Sequence, residues 1–149
     1  SQQARDLIFH TRQSFFEGIK KARENNHLHD ISNAIADYLQ AHGYGIVEDL
    51  VGHGIGTKLH EAPEVPNFHK DSRGIRLKSG MTLAIEPMVA AGSGEVEWLE
   101  DDWTVVTFDG SLAAHYENTI AITKDHVKIL TLTEREIEQG IPGILMGDV

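Results

Sequence analysis

Apolar residues in the first forty positions recur with the period of a helix. From residue 2 to about 23 they stand three, four or seven positions apart, which predicts an amphipathic helix. A second helix is predicted from about 30 to 41, with Gly43 as its carboxyl-terminal stop. The predicted inward residues are Ala4, Leu7, Ile8, Phe15, Phe16, Ile19 and Ala22 in the first helix and Ile31, Ala34, Ile35, Tyr38 and Leu39 in the second.

The pattern changes after Gly45 to short apolar runs separated by glycine, proline and charged residues. Such runs predict the strands of a mostly antiparallel sheet, at 81–85, 96–99, 104–108, 118–123 and 127–130. Residues 63–80 contain two prolines and no clear period, so we expect a long loop there. A further helical turn is predicted at 133–139. The fold class is therefore α+β, with two helices packed on the sheet.

Composition limits the classes of function. The chain has 149 residues, the size of one ordinary domain, so residues 1–149 are predicted to form a single unit. A net charge of −10 without a basic cluster argues against nucleic-acid binding. No apolar stretch approaches the roughly 20 residues of a membrane span, and the amino terminus does not resemble a signal peptide, so a cytoplasmic protein is expected. Because the chain has no cysteine, any metal must be held by histidine and carboxylate.

Two histidines stand in a glycine-bounded run at 51–63. His53 lies between two glycines, so other backbone groups can approach it closely, and His60 follows seven residues later, shortly before a proline. Neutral imidazole binds borderline divalent metals or exchanges a proton near neutral pH. A lone loop histidine is also compatible with packing or solvation, so each residue taken singly leaves a structural role open.

Two glutamates offer carboxylates for the same chemistry. Glu86 ends the apolar run 81–85, where an unpaired carboxylate costs several kcal/mol unless a cation offsets the cost. The alternative is a strand-end carboxylate that reaches water. Glu117 is expected within a strand, where a solvent-facing role stays open. His115 shares the face of Glu117, and we expect it to be either a supporting neighbour of the site or plain surface.

Three segments, 52–63, 77–89 and 103–120, resemble the catalytic half of the type I methionine aminopeptidases. The likeness is carried by Gly-His-Gly-Ile-Gly followed by His-Glu-Ala-Pro, by Ile-Glu-Pro-Met, and by the run from Trp103 to His-Tyr-Glu-Asn. Gly-His-Gly with a later His-Glu is shared with proline dipeptidases. Ile-Glu-Pro-Met and the segment after Trp103 look like the methionine enzymes, and the likeness covers nearly the whole chain.

The resemblance implies half of a pita-bread fold with a curved sheet, and a hydrolase that removes the initiator methionine during protein maturation. It implies two divalent ions in the complete enzyme, among manganese, iron, cobalt and zinc. His53, Glu86 and Glu117 match metal ligands, and Glu117 matches the carboxylate that bridges the ions. Catalysis is expected from Glu86, as proton shuttle, and from His60, which also binds the scissile peptide. The expected walls near the methionine pocket are Leu59 and Trp103.

One departure from the family pattern changes the expectation for activity. The aspartate ligands and the further imidazole of the family's amino-terminal half have no counterpart before His53. We therefore expect this chain to supply part of the site and to be inactive or weakly active alone, with the amino-terminal half of the fold as its partner and a peptide or nascent chain as substrate. The alternatives are a proline-directed metallopeptidase of the same fold and a catalytically inactive pita-bread binding module.

Overall fold

Both predicted amino-terminal helices are present. The computed structural model describes residues 1–146, with side chains for residues 1–143. Helix α1 spans Gln2–Ile19 and begins at Ser1, whose hydroxyl accepts a hydrogen bond from the Ala4 N–H at 3.2 Å. The helix ends before the predicted residue 23, because the chain tightens after Ile19 into a turn in which the Ala22 N–H donates to the Ile19 carbonyl.

The buried face of α1 differs from the predicted one. Ile8, predicted inward, is 63% exposed, whereas Thr11, Ser14 and Gly18 are buried. The two hydroxyls can be buried because each donates to a carbonyl of its own helix: Thr11 to Leu7 and Ser14 to Thr11, both at 2.7 Å. The prediction for Ile8 was wrong because it treated apolar residues alone as candidates for the core.

Helix α2 spans Leu28–Ala41 and ends as the sequence predicts. Gly43 has a φ of 74°, and its N–H donates to the Gln40 carbonyl while the Tyr44 N–H donates to the Leu39 carbonyl. This pair of bonds is the Schellman arrangement, in which glycine supplies the left-handed residue. The start lies two residues earlier than predicted, because the Asp30 carboxylate accepts from the His27 N–H at 2.7 Å and so caps the helix at His27.

The sheets are antiparallel throughout the described residues, which confirms the predicted class. A six-stranded sheet has the order β11-β10-β9-β4-β2-β3, a three-stranded sheet has the order β1-β5-β8, and β6 pairs with β7. The strands are β1 Gly45–Ile46, β2 Gly52–Ile55, β3 Glu61–Val65, β4 Thr82–Ile85, β5 Met88–Ala90, β6 Val96–Trp98, β7 Val105–Thr107, β8 Ala113–His115, β9 Asn118–Ile122, β10 His126–Ile129 and β11 Ile144–Met146.

All five predicted strands are found, as β4, β6, β7, β9 and β10, and the predicted helical turn is α3, Glu134–Glu138. The missed strands are short or contain glycine, except β3, which has five residues but contains two glutamates and a proline. None of them shows a continuous apolar run of the length expected for a strand. The loop predicted at 63–80 begins inside β3 and carries no strand or helix over 66–80. Glu117 lies in the break between β8 and β9, not within a strand as predicted.

Two crossings between the sheets determine where the site lies. At Glu86 and Pro87 the chain passes from β4 of the larger sheet to β5 of the smaller one. At Tyr116 and Glu117 it returns from β8 to β9. The Tyr116 N–H donates to the Pro87 carbonyl at 3.2 Å, so the two crossings lie side by side. Both glutamates predicted as ligands are thus brought to the same junction.

A single hydrophobic cluster supports this junction. It joins fully buried residues of the helices, such as Phe15 and Ile35, to Leu83, Ile85 and Ile120 of the larger sheet. No helix within residues 1–146 combines the length and the apolar character that a bilayer span requires.

The contact between the helices generates a stability prediction at Gly18. A Cβ added there would lie 2.5 Å from Cγ1 of Ile35, which is fully buried. We expect Gly18→Ala to lower the free energy of unfolding by about 1–3 kcal/mol, because overpacking outweighs the gain of up to about 1 kcal/mol in helix propensity. Urea denaturation of the wild type and the variant measures this difference.

The matched control for Gly18→Ala is the double variant that carries both Gly18→Ala and Ile35→Ala, compared with the two single variants. Removing the Ile35 side chain beyond Cβ should make the double variant more stable than the sum of the single effects predicts. Strictly additive effects, or a Gly18→Ala protein more stable than the wild type, would contradict the close contact.

Candidate metal site

Glu86 is a carboxylate held at the end of a buried strand. Leu83, Ala84 and Ile85 of β4 are fully buried, and the Glu86 side chain that follows is only 13% exposed. Its backbone carbonyl accepts a hydrogen bond from the amide of buried Asn67 at 3.2 Å. A carboxylate this far from water requires a cation or hydrogen-bond donors to offset its desolvation.

His53 faces this carboxylate from the neighbouring strand. It lies in β2, where it pairs with Ala84, and its Nε2 is 3.5 Å from Glu86 Oε1. Its Nδ1 is 2.9 Å from the Gly54 carbonyl oxygen, which can only accept a hydrogen bond. Nδ1 therefore donates to this carbonyl, and Nε2 is the ring nitrogen that faces Glu86. A bond from Nδ1 to a backbone carbonyl is typical of a histidine that binds a metal through Nε2.

Glu117 and His115 approach Glu86 from the second crossing. His115 Nε2 is 3.4 Å from Glu86 Oε2, and one ligand atom from each of Glu86, His115 and Glu117 lies within 4.8 Å of the other two. The sequence pattern predicts only a supporting or surface role for His115. Its place two residues before Glu117 on the same predicted face was the signal that pointed to it.

The separations between these donors fit a cation better than they fit hydrogen bonds. A charge-assisted N–H···O bond is about 2.7–2.9 Å long. Two ligands held about 2.1 Å from one ion lie roughly 3.4 Å apart when the coordination is tetrahedral. The 3.4 and 3.5 Å distances from Glu86 to the two imidazoles match the second value. The carboxylates of Glu86 and Glu117 would balance the charge of one divalent ion.

His60 lies beside His53, with its ring centroid 4.2 Å from that of His53. It belongs to the exposed loop 56–60, which is closed by Glu61: the Glu61 carboxylate accepts from the Lys58 N–H at 2.7 Å and the Thr57 hydroxyl at 3.0 Å. These bonds lower the pKa of Glu61, so the carboxylate stays ionised and keeps the loop closed.

The two predicted pocket walls are not enclosed. Leu59 is 69% exposed and Trp103 is 86% exposed, the latter in the turn between β6 and β7. The structure therefore groups His53, His60, Glu86 and Glu117 at one place. It leaves Leu59 and Trp103 as large apolar side chains on exposed loops.

Tyr116 anchors the segment that carries His115 and Glu117. Its hydroxyl donates to Glu136 Oε1 of α3 at 2.6 Å, and its ring packs edge-on against Phe15 of α1 with centroids 5.3 Å apart. Burial raises the pKa of the Tyr116 hydroxyl, and the acceptor Glu136 raises it further, so the hydroxyl remains a donor. The backbone on both sides of Tyr116 is thereby held against the helices.

Comparison with known proteins places this arrangement in a family. The model of metallopeptidase family M24 matches residues 1–124, most of the chain. The chain belongs to metallopeptidase family M24. Family M24 membership, together with the donors around Glu86, supports a divalent metal as the cofactor.

Relatives within family M24 are named methionine aminopeptidases. The chain is 58% identical over 132 residues to the methionine aminopeptidase of Clostridium perfringens, covering 89% of this chain and 53% of that protein. It is 46% identical over 131 residues to methionine aminopeptidase 1 of Bacillus subtilis, covering 88% and 53%. The chain thus spans about half the length of the curated relatives it matches.

Solved structures agree with this assignment. The crystal structure of the methionine aminopeptidase of Thermotoga maritima superposes with a TM-score of 0.86 at 41% identity, covering 89% of this chain and 53% of that one. The prolidase of Pyrococcus furiosus, at 22% identity, superposes with a TM-score of 0.63 over 88% of this chain and 33% of its own, and shows the shared fold. The resemblance to methionine aminopeptidases and the α+β pita-bread class are confirmed.

The anchor at Tyr116 generates a testable prediction. Tyr116→Phe keeps the ring but removes the hydrogen bond to the charged Glu136 carboxylate, so we expect the free energy of unfolding to fall by about 1.5–3 kcal/mol. Chemical denaturation at pH 7 measures the change. Tyr44→Phe is the matched control, because the Tyr44 hydroxyl has no hydrogen-bond partner among the described side chains. Equal effects of the two variants would contradict the anchoring role.

The same variant should change the acid dependence of stability. Burial alone would raise the pKa of Glu136, but hydrogen bonds from Tyr116 and Thr133 outweigh burial and lower it below its ordinary value of 4.5. A lowered carboxyl pKa stabilises the folded state above the unfolded pKa, and this stability is lost as the pH falls through the folded value. We therefore expect the free energies of unfolding of Tyr116→Phe and the wild type, measured by chemical denaturation, to differ less in acid than at pH 7.

Proposed function

We propose that this protein removes the amino-terminal methionine from peptides and nascent chains by metal-dependent hydrolysis, and that the 149-residue chain supplies part of the active site. The observation that carries the proposal is the mostly buried Glu86 carboxylate, which faces His53 on one oxygen and lies beside Glu117. The named relatives support methionine as the residue removed. Because nascent chains are the substrate, the proposal places the protein in the cytoplasm.

In this proposal His53, Glu86 and Glu117 hold a divalent cation. Manganese, iron, cobalt and zinc all accept imidazole and carboxylate donors, and the chain offers both types. Two carboxylates balance one such ion, whereas two ions would need further acidic ligands. We infer that these come from sequence beyond the 149 residues, which agrees with a chain that spans about half the length of its relatives.

The residues around the cation have separate tasks. A divalent cation in such a site supplies an activated water and polarises the peptide carbonyl. Glu86 accepts a proton and returns it to the leaving amine, since its carboxylate is desolvated and adjacent to the donors of the site. His60 donates a hydrogen bond to the scissile peptide from the exposed side of His53.

The methionine side chain is proposed to contact Leu59 and Trp103. Methionine is long, unbranched and apolar, and it packs well against aliphatic and aromatic surfaces. Both walls are largely exposed in this chain. A bound substrate, together with the rest of the complete site, would cover them.

A fusion protein tests the proposal directly. The portion of the Clostridium perfringens methionine aminopeptidase that the chain does not match is joined to the amino terminus of this chain, and methionine release from Met-Ala-Ser is measured with Mn(II) or Co(II). We expect turnover by the fusion and little by the chain alone. Glu86→Gln and His60→Ala should each lower kcat/KM by about 10²–10⁴-fold, because each removes a proton donor or acceptor. His126→Gln, on β10, should leave activity unchanged.

The outcomes distinguish the alternatives. Rapid methionine release by the isolated chain would refute the incomplete site. A fusion that prefers Ala-Pro substrates to Met-Ala-Ser would favour a proline-directed peptidase. A folded fusion that binds the cation and hydrolyses neither peptide would favour a binding module without catalysis.

A further inference from the structure

We propose that His115 is a metal ligand of this chain, joining Glu86 and Glu117 in a donor set for one borderline divalent cation. The inference rests on the proposed metal site and adds a residue to it, since the family resemblance assigns the ligand role to His53, Glu86 and Glu117 alone. It concerns binding of the cation and does not depend on turnover.

The first support is the distribution of donors around the Glu86 carboxylate. His53 Nε2 faces Oε1 and His115 Nε2 faces Oε2, so each oxygen has its own imidazole. Glu117 groups with Glu86 and His115 and supplies a second carboxylate. The 3.4 Å separation between His115 Nε2 and Glu86 Oε2 is too long for a charge-assisted hydrogen bond. It suits two donors on one ion.

The second support is that the backbone around His115 is fixed. His115 pairs with Met88, two residues beyond Glu86, in the register of β8 with β5. The next residue, Tyr116, donates its N–H to the Pro87 carbonyl and its hydroxyl to Glu136. A ligand needs such support, because a site held loosely loses affinity. The imidazole itself is 45% exposed, so a cation can reach it from solvent.

The third support is the lack of competition for the His115 ring. Among the described residues, its only polar contact is Glu86. Apart from Glu86, no described residue therefore holds the ring nitrogens in a polar contact that a cation would have to displace. An extra imidazole shifts a carboxylate-rich site toward zinc and cobalt and away from manganese. His115 is thus predicted to affect metal preference as well as affinity.

Nitrogen NMR of the histidine rings tests this directly on the intact wild-type chain. The chain is labelled with ¹⁵N-histidine and titrated with Zn(II), and long-range ¹H–¹⁵N correlations report each ring nitrogen through carbon-bound protons. At saturation we expect the Nε2 resonances of His53 and His115 to move to values typical of metal-bound nitrogen. The resonances of His126 should stay in place. Single His→Gln variants assign the signals.

Affinity provides the second readout. His115→Gln should weaken Zn(II) binding at least about tenfold in competition with a chromophoric chelator, with a smaller effect on Mn(II). His126→Gln is the matched control and should bind both ions like the wild type.

The two possible failures are distinguishable. If the His53 nitrogen responds to Zn(II) and the His115 nitrogen does not, the role of His115 is overturned and the proposed metal site stands. If neither responds, both the role of His115 and the proposed site on this chain are overturned. The wild-type spectra decide this even if a variant fails to fold.

Discussion

The proposed site depends on one electrostatically unfavourable arrangement: a carboxylate lies at the end of a buried strand. Glu86 follows three fully buried residues of β4 and keeps only 13% of its side chain exposed. Burial of an ionised group is costly, and no arginine or lysine lies in an ion pair with Glu86 among the described residues. Its neighbours are instead imidazole nitrogens and the carboxylate of Glu117. A divalent cation turns this set of mutually unfavourable donors into a favourable one.

The fold brings the proposed metal ligands together. Two passages of the chain between the sheets, at Glu86 and at Tyr116 with Glu117, lie side by side, so ligands distant in sequence meet at short connections between paired strands. The hydrophobic cluster under the junction and the Tyr116–Glu136 bond hold the backbone. By contrast, the residues proposed to meet substrate, such as His60 and Trp103, lie on exposed loops. The proposed metal ligands thus lie within strands or directly at strand ends, while exposed loops carry the groups for recognition.

Sequence reasoning predicted both helices, five of the strands and the place of Glu86 at the end of a buried strand, because periodicity and apolar runs are local signals. It placed Ile8 in the core wrongly. The buried face of α1 contains Thr11 and Ser14 instead, because their hydroxyls form hydrogen bonds within the helix. It missed β2, which contains two glycines, and β8, which has only three residues. It also gave His115 no ligand role, because the approach to Glu86 results from the register of β8 with β5, which local pattern does not reveal.

Anomalous X-ray diffraction from Zn(II)-loaded crystals of the chain tests the central claim most directly. We expect a zinc peak at the junction of the two sheets, within about 2.0–2.2 Å of a Glu86 carboxylate oxygen and of an imidazole Nε2. Peaks confined to other histidines of the surface, with Glu86 bound to water or protein donors alone, would contradict it.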